Sequence, residues 1–136
     1  MRHYKIIFFS FIVYILVCFT TYFSMCEYSK EISSSCFECS YQRDVLLFSL
    51  FISIIFSFLF FLLKRILKKK IHVIIIFIIS FALLIFYNIY GIFCDRVSSW
   101  SSFTLESELI NVFYNSYLYI TISSILIFAY LRQFRL

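Results

Sequence analysis

Proline is absent from this 136-residue sequence, and glycine occurs once, at position 91. Both residues interrupt helices, and interrupted half-helices form the substrate sites of many membrane transporters. Charged residues are also scarce, at 14% of the chain against 63% hydrophobic residues, which is far from the average of soluble proteins. The lack of helix breakers argues against a transporter, and the lack of charge argues against a water-soluble domain.

Four long apolar stretches contain no charged side chain. They cover residues 6–25, 45–63, 71–93 and 109–131, and each is 19 to 23 residues long. At a rise of about 1.5 Å per residue, helices of this length cross the roughly 30 Å hydrocarbon core of a bilayer. Lipid offers the backbone no hydrogen-bond partners, so helices are expected rather than open strands. We predict an all-α integral membrane protein, a four-helix up-down bundle in which residues 1–136 form a single domain.

The distribution of charge predicts the orientation of this bundle. All seven acids lie in two connecting segments, residues 26–44 and 94–108. The two termini and the segment over residues 64–70 contain no acid and carry most of the basic residues, namely Arg2, Lys5, Lys64, Arg65, Lys68, Lys69, Lys70, Arg132 and Arg135. Because basic residues collect on the cytoplasmic side, we expect both termini inside, a cytoplasmic basic turn over 64–70, and two outer loops. We attribute the basic turn to anionic lipid headgroups rather than to nucleic acid.

Polar and aromatic residues near the ends of the stretches indicate how the bundle is held. Asn88, Asn111 and Asn115 are predicted to form hydrogen bonds between helices. Trp100 and Phe103 lie in the serine-rich second outer loop. Because tryptophan favours the membrane interface, this loop is expected to lie among the headgroups or to face a soluble partner.

The sequence has five cysteines, and four of them fall on the predicted outer side. Cys18 lies in the middle of the first stretch, where we interpret it as packing. The outer side of a bacterial membrane is oxidising, and the cysteines there are Cys26, Cys36, Cys39 and Cys94. Cys36 and Cys39 form a C-x-x-C pair just before the second helix, a spacing that suits a small, exchangeable disulfide. A helix N-terminus and the nearby Arg43 would favour a thiolate there.

Two other interpretations of these cysteines remain open. The C-x-x-C pair is also compatible with a static structural disulfide. A zinc site formed by the four outer cysteines is the second alternative. It is disfavoured because the sequence has no second C-x-x-C and because both histidines, His3 and His72, lie on the predicted cytoplasmic side.

Residues 36–43 read Cys-Phe-Glu-Cys-Ser-Tyr-Gln-Arg and lead directly into the second helix. This C-x-x-C-x-Y-Q-R sequence resembles the disulfide-bond formation protein B (DsbB) family, including its short relatives of the BdbC type, in which C-x-x-C-x-Y-x-R opens the second of four helices. The chain length, the expected topology and the basic turn between helices two and three are also similar. The architecture covers the whole chain, whereas the motif covers these eight residues only.

The resemblance implies a thiol oxidase of the bacterial cytoplasmic (inner) membrane. Such a protein passes electrons from a thioredoxin-like dithiol partner, similar to DsbA, to a quinone, either ubiquinone or menaquinone. Carried over to this chain, Cys36 and Cys39 would be the pair coupled to the quinone. Arg43 would lie beside the quinone head group, where a fixed guanidinium stabilises negative charge that develops on the ring oxygens.

The chain departs from the DsbB pattern in the second outer loop. Family members carry a further cysteine pair there, which receives electrons from the soluble partner, and this chain has only Cys94. Our hypothesis is that Cys26, at the outer end of the first helix, and Cys94, at the outer end of the third, form the missing partner-facing pair. The alternatives are that Cys94 works singly or that the relay has decayed.

A protein of another class shares the same composition. Immunity proteins against pore-forming bacteriocins are small, basic, aromatic-rich four-helix membrane proteins that act through helix contacts and have no enzymatic activity. In such a protein the cysteines would serve structure only. This non-enzymatic membrane interaction protein is the alternative to the thiol oxidase.

Overall fold

The computed structural model describes residues 2–66 and 70–133, and these residues form helices connected by loops. The helices are α1 (Arg2–Ser24), α2 (Tyr41–Ile66), α3 (Lys70–Arg96) and α4 (Leu105–Gln133), with short 3-10 turns at Cys26–Tyr28 and Ser98–Trp100. The described residues contain no β-strand. All four helices are long and apolar enough to cross a membrane. The prediction of an all-α protein with four candidate membrane spans is therefore confirmed.

Two helices extend beyond the apolar stretches at the ends that the sequence predicts to face outward. Helix α2 begins at Tyr41, ahead of the predicted start at residue 45, and α3 continues past residue 93 to Arg96. Ser40 caps α2, since its Oγ accepts a hydrogen bond of 3.3 Å from the Arg43 N–H, and Asp44 in the first turn complements the positive end of the helix dipole. The polar residues that follow the C-x-x-C pair are thus fixed in the first turn of α2.

The four helices pack as a closed ring. Each helix contacts the next one along the chain, and α1 also contacts α4. Helices α1 and α3 are therefore diagonal to each other, and the loop between α1 and α2 joins two neighbours in the ring. Lys64 and Arg65 end α2 and Lys70 begins α3. The remainder of the predicted basic turn over 64–70, including Lys68 and Lys69, lies outside the described residues.

The interior changes in character along the bundle. Near the N-terminal end of α1 it is a cluster of phenylalanine rings, with Phe56 and Phe77 4.3 Å apart between ring centroids. Nearer the outer loops it is polar, because Asn88 Nδ2 donates to Thr21 Oγ1 at 2.8 Å and to Ser49 Oγ at 3.4 Å. These bonds join three helices, which confirms the prediction that Asn88 forms interhelical hydrogen bonds. Each such bond satisfies a polar group that lipid would leave without a partner.

Candidate functional site

A disulfide joins Cys36 and Cys39 in the outer loop that precedes α2. The two residues form a tight turn, in which the Cys39 N–H donates to the Cys36 carbonyl at 3.1 Å. The Cys36 N–H donates to Ser33 Oγ, also at 3.1 Å. Both cysteines are partly exposed, as exchange with a thiol of another protein requires. The predicted C-x-x-C pair is therefore present as a disulfide, and two of the four thiolates that a zinc site would use are unavailable to a metal.

Asp95, at the outer end of α3, holds the segment in front of the disulfide. Its carboxylate accepts hydrogen bonds from Ser33 Oγ at 2.6 Å and from Ser34 Oγ and the Ser35 N–H, each at 2.9 Å. Its carbonyl accepts a further bond from the Ser34 N–H at 2.9 Å. The first outer loop is thereby docked on the end of α3, and the disulfide turn lies between the start of α2 and the end of α3.

Arg96, the residue after Asp95, also binds the first outer loop. The side chain is 2% exposed and forms an ion pair with Asp44 in the first turn of α2. The guanidinium also donates to the carbonyls of Glu31 and of Cys39, the second at 3.3 Å. It lies 5.3 Å from the centre of the Tyr41 ring, within the range of a cation–π contact. A buried charge needs this degree of compensation, because an unpaired one is strongly destabilising.

Arg43, the cation that the sequence motif indicated, occupies a different position. Its side chain is exposed at the start of α2, and the neighbouring Asp44 pairs with Arg96 instead. Arg43 lies one helical turn before Leu47 and on the same face of α2. The cation in contact with the disulfide turn is therefore Arg96. Arg43 lies on the same side of α2 as Leu47, one turn nearer the start of the helix.

That side of α2 borders a groove between α2 and α3 with a volume of about 510 Å³. Leu47 and Cys94 line its outer end, and Phe51, Tyr87 and Gly91 line it further down. Phe51 and Tyr87 are 72% and 69% exposed, so the groove opens sideways, toward the lipid in a membrane. Its lining is almost entirely apolar. Such a groove suits a flat apolar ring that enters from the bilayer.

The cysteine pair proposed for the partner is not formed. Cys26 and Cys94 are both free thiols, because Cys26 lies on the turn after α1 whereas Cys94 faces the groove on the diagonal helix α3. Cys18 is also a free thiol, in α1. Within residues 2–66 and 70–133, no group of three or more His, Cys, Asp or Glu side chains is placed to hold a metal ion.

A buried carboxylate lies behind the groove. Glu108, near the start of α4, is 7% exposed and accepts a hydrogen bond from the Tyr90 hydroxyl at 2.9 Å and another from Ser98 Oγ. Tyr90 lines the groove together with Cys94. The hydroxyl of Tyr90 therefore connects the groove to a carboxylate at the outer end of the bundle.

Two exposed aromatic residues, one of them inside the disulfide turn, contact each other. Phe37, inside the C-x-x-C turn, is 73% exposed, and Trp100 is 54% exposed. Their ring centroids are 5.9 Å apart in an edge-to-face arrangement, and Trp100 Nε1 donates to the Ile32 carbonyl at 2.9 Å. The second outer loop thus supports the first one. The position of Trp100 suits both of its predicted roles, at the headgroups and against a soluble partner.

Sequence reasoning did not find Asp95, Arg96 or Glu108 as parts of the site. The sequence offered one signal for the first two: an acid and a base just after Cys94, on the same predicted side as a run of three serines before the C-x-x-C pair. No protein-family model, curated protein or solved structure matches this chain. The functional interpretation therefore depends on the residues and their geometry.

Proposed function

We propose that this chain is a membrane thiol-disulfide oxidoreductase that passes electrons from a thioredoxin-like dithiol partner to a quinone. The observation that carries this proposal is the position of the Cys36–Cys39 disulfide. The disulfide is partly exposed, and the segment in front of it is bound to Asp95. The residue before Asp95, Cys94, lines a groove that opens toward lipid. An exchangeable disulfide and a site for a lipid-soluble ring thus lie at the same end of α2 and α3.

The reaction balances as a two-electron transfer. A thiolate of the partner attacks one sulfur of the Cys36–Cys39 disulfide, which forms a mixed disulfide and releases the other cysteine of the chain. The second partner thiol then attacks the partner's sulfur in this mixed disulfide and releases the remaining cysteine. The partner leaves with a new disulfide, and the chain holds two thiols. A quinone, when bound, supplies the oxidant for these thiols: it takes up their two electrons and two protons as the protein disulfide re-forms.

The groove fits a quinone ring in size and in polarity. Its volume of about 510 Å³ lies within the roughly 300–1,000 Å³ of ordinary small-ligand pockets. The apolar lining suits the ring, and the side opening toward lipid leaves room for an isoprenoid tail. In this proposal Arg43 attracts the negative charge that develops on the ring oxygens, and the Tyr90 hydroxyl holds a proton at the groove wall. Ubiquinone and menaquinone both meet these requirements.

The proposal places the protein in a bacterial cytoplasmic membrane with both termini inside. Nine of the twelve basic residues lie at the termini and at the segment between α2 and α3, and all seven acids lie at the other end of the bundle. This asymmetry is the one that the positive-inside rule describes. The disulfide then faces the oxidising side, where it persists.

A quinone-reduction assay tests this function. The purified full-length chain in lipid nanodiscs is mixed with a quinone and with a reduced thioredoxin-like dithiol protein, and quinol formation is followed by absorbance. We expect turnover in the parent protein and in the Cys18→Ser control, because Cys18 lies within α1, away from the disulfide. We expect none in Cys39→Ser, because that variant has no disulfide to exchange. Undiminished turnover in Cys39→Ser would overturn the proposal.

A further inference from the structure

The contacts of Arg96 suggest a function that the sequence motif does not indicate. Its guanidinium donates to the carbonyl of Cys39, which belongs to the disulfide turn, and to the carbonyl of Glu31, which precedes the turn. The side chain is 2% exposed, so water screens its charge weakly. A cation fixed beside a disulfide stabilises the thiolates that form when the disulfide is reduced.

The charge of Arg96 is offset by Asp44. The carboxylate is buried, 6% exposed, and forms its ion pair with Arg96 on the side of the guanidinium that faces α2. The Cys39 carbonyl therefore lies against an ion pair of zero net charge. Removing either partner leaves one buried charge of this pair uncompensated beside the disulfide turn, and the sign of that charge depends on which partner is removed.

We propose that Arg96 is a positioning residue that fixes the Cys36–Cys39 turn above the groove, and that the Asp44–Arg96 pair sets the equilibrium between the disulfide and the dithiol. The inference rests on the proposed function only in that it concerns the same disulfide. Arg96 touches the turn through the Cys39 carbonyl and not through the sulfur atoms, so it acts on the chemistry through the position of the turn and through its charge.

The equilibrium is measured with glutathione alone. Two glutathione molecules reduce Cys36–Cys39: the protein S–S bond breaks, the S–S bond of oxidised glutathione forms, and the two thiol protons pass to the protein sulfurs. The full-length protein in nanodiscs is equilibrated at a series of glutathione ratios and alkylated. Mass spectrometry of the peptide that contains both cysteines then gives the reduced fraction.

The two single charge variants are expected to shift this equilibrium in opposite directions. Asp44→Asn leaves the positive charge uncompensated and favours the reduced form by about tenfold, whereas Arg96→Gln leaves the negative charge and disfavours it by about tenfold. Each shift corresponds to about 30 mV for a two-electron couple. The double variant Asp44→Asn/Arg96→Gln carries neither charge and returns close to the parent value. A purely structural role would move all three variants in the same direction.

An exposed carboxylate of α4 serves as the control for the loss of a negative charge. Glu106→Gln removes an exposed acid of the first turn of α4 by the same chemical change, and its equilibrium is expected to stay within about twofold of the parent, because exposed charges contribute little. If Asp44→Asn fails to fold, Arg96→Gln is compared with the double variant. The double variant is expected to favour the reduced form by about tenfold relative to Arg96→Gln. Shifts of the same sign in both single variants, or shifts no larger than that of Glu106→Gln, would overturn the inference.

The positioning role has a readout of its own. Arg96→Lys keeps the positive charge but loses the fork that reaches both carbonyls. Its glutathione equilibrium is expected to stay within about threefold of the parent, while tryptic cleavage after Lys30, next to Glu31, becomes several-fold faster. Unchanged cleavage would contradict the positioning role. Because neither measurement uses a quinone or a protein partner, this inference and the proposed function fail separately.

Discussion

Two arginines flank the disulfide turn at different depths. Arg96 is buried against the turn and paired with Asp44, whereas Arg43 is exposed and lies one helical turn above Leu47 at the groove. A buried, paired arginine has little freedom to follow a ligand. An exposed one with a flexible stem has the freedom to follow a ligand at the mouth of the groove. In the proposed function, therefore, Arg96 holds the turn and Arg43 attracts the quinone.

Replacing Arg43 by glutamine is expected to weaken quinone binding. The KM for quinone should rise by up to about fivefold, equivalent to about 1 kcal/mol, because the contact of an exposed cation is screened by water. The measurement is quinol formation at varied quinone concentration, with Arg43→Lys as the control that keeps the charge. The glutathione equilibrium of the disulfide should not change. An unaltered KM in Arg43→Gln would remove Arg43 from the quinone site.

At the scale of single residues, the sequence predicted pairs that are close along the chain. The Cys36–Cys39 disulfide follows from a spacing of three residues. The pairing of Asp44 with Arg96 does not, because it joins residues 52 positions apart, and any acid of the outer side was an equal candidate until the helices were placed. The prediction of a Cys26–Cys94 pair was wrong for the same reason. The sequence placed both residues on the same predicted side, but it did not give their positions around the ring of helices.

At the scale of helices, the groove between α2 and α3 depends on Gly91. A Cβ atom at this position would meet only the Phe48 ring, at 4.0 Å from Cε1, which is an ordinary van der Waals contact. Because Gly91 lines the groove, the atoms of a larger side chain would occupy the groove. Gly91 therefore offers a way to fill the groove while the bundle stays intact.

We expect Gly91→Leu to lower the rate of quinol formation by about tenfold or more, because the leucine side chain takes the space of the ring. Gly91→Ala is the matched control. It adds one methyl group, is expected to stabilise α3 by up to about 1 kcal/mol, and should retain most of the activity. Thermal unfolding of both variants checks that the fold is unchanged. Full turnover in a stable Gly91→Leu protein would show that the quinone does not use this groove.

The four helices were predictable because the free energy of inserting an apolar stretch depends on its own residues. Their outer ends were not. The first turn of α2, Tyr41 to Asp44, is polar and was assigned to the loop, yet it is helical because Ser40 caps it and Arg96 of another helix compensates Asp44. The groove was equally inaccessible to sequence reasoning, since its width depends on how two helices lie against each other.

At the scale of the whole molecule, the separation of charge between the two ends of the bundle predicts its orientation in the cell. With Cys18 and Cys94 replaced by serine, Cys26 is the remaining free thiol, and it is exposed on the turn after α1. A membrane-impermeant maleimide should label it in intact spheroplasts as fully as in lysed ones.

The matched control for this labelling places a thiol at the opposite end. A cysteine introduced by His72→Cys, in a background that also lacks Cys26, should react only after lysis. His72 is exposed in the first turn of α3, beside the basic segment. Protection of Cys26 in intact spheroplasts would mean the reverse orientation. It would also remove the proposed function, because the disulfide would then lie in a reducing compartment.

The anchoring of the disulfide loop by Asp95 and Arg96 bears on how the protein matures. A nascent chain that has inserted only its first two helices already contains both sulfur atoms, but the groups that hold them follow more than fifty residues later along the chain. Until the third helix has crossed the bilayer, the turn before the second helix lacks its hydrogen bonds to Asp95 and Arg96. Synthesis therefore produces the cysteine pair before the residues that hold it, so a chain that stalls between these two stages carries the two sulfur atoms exposed and unrestrained.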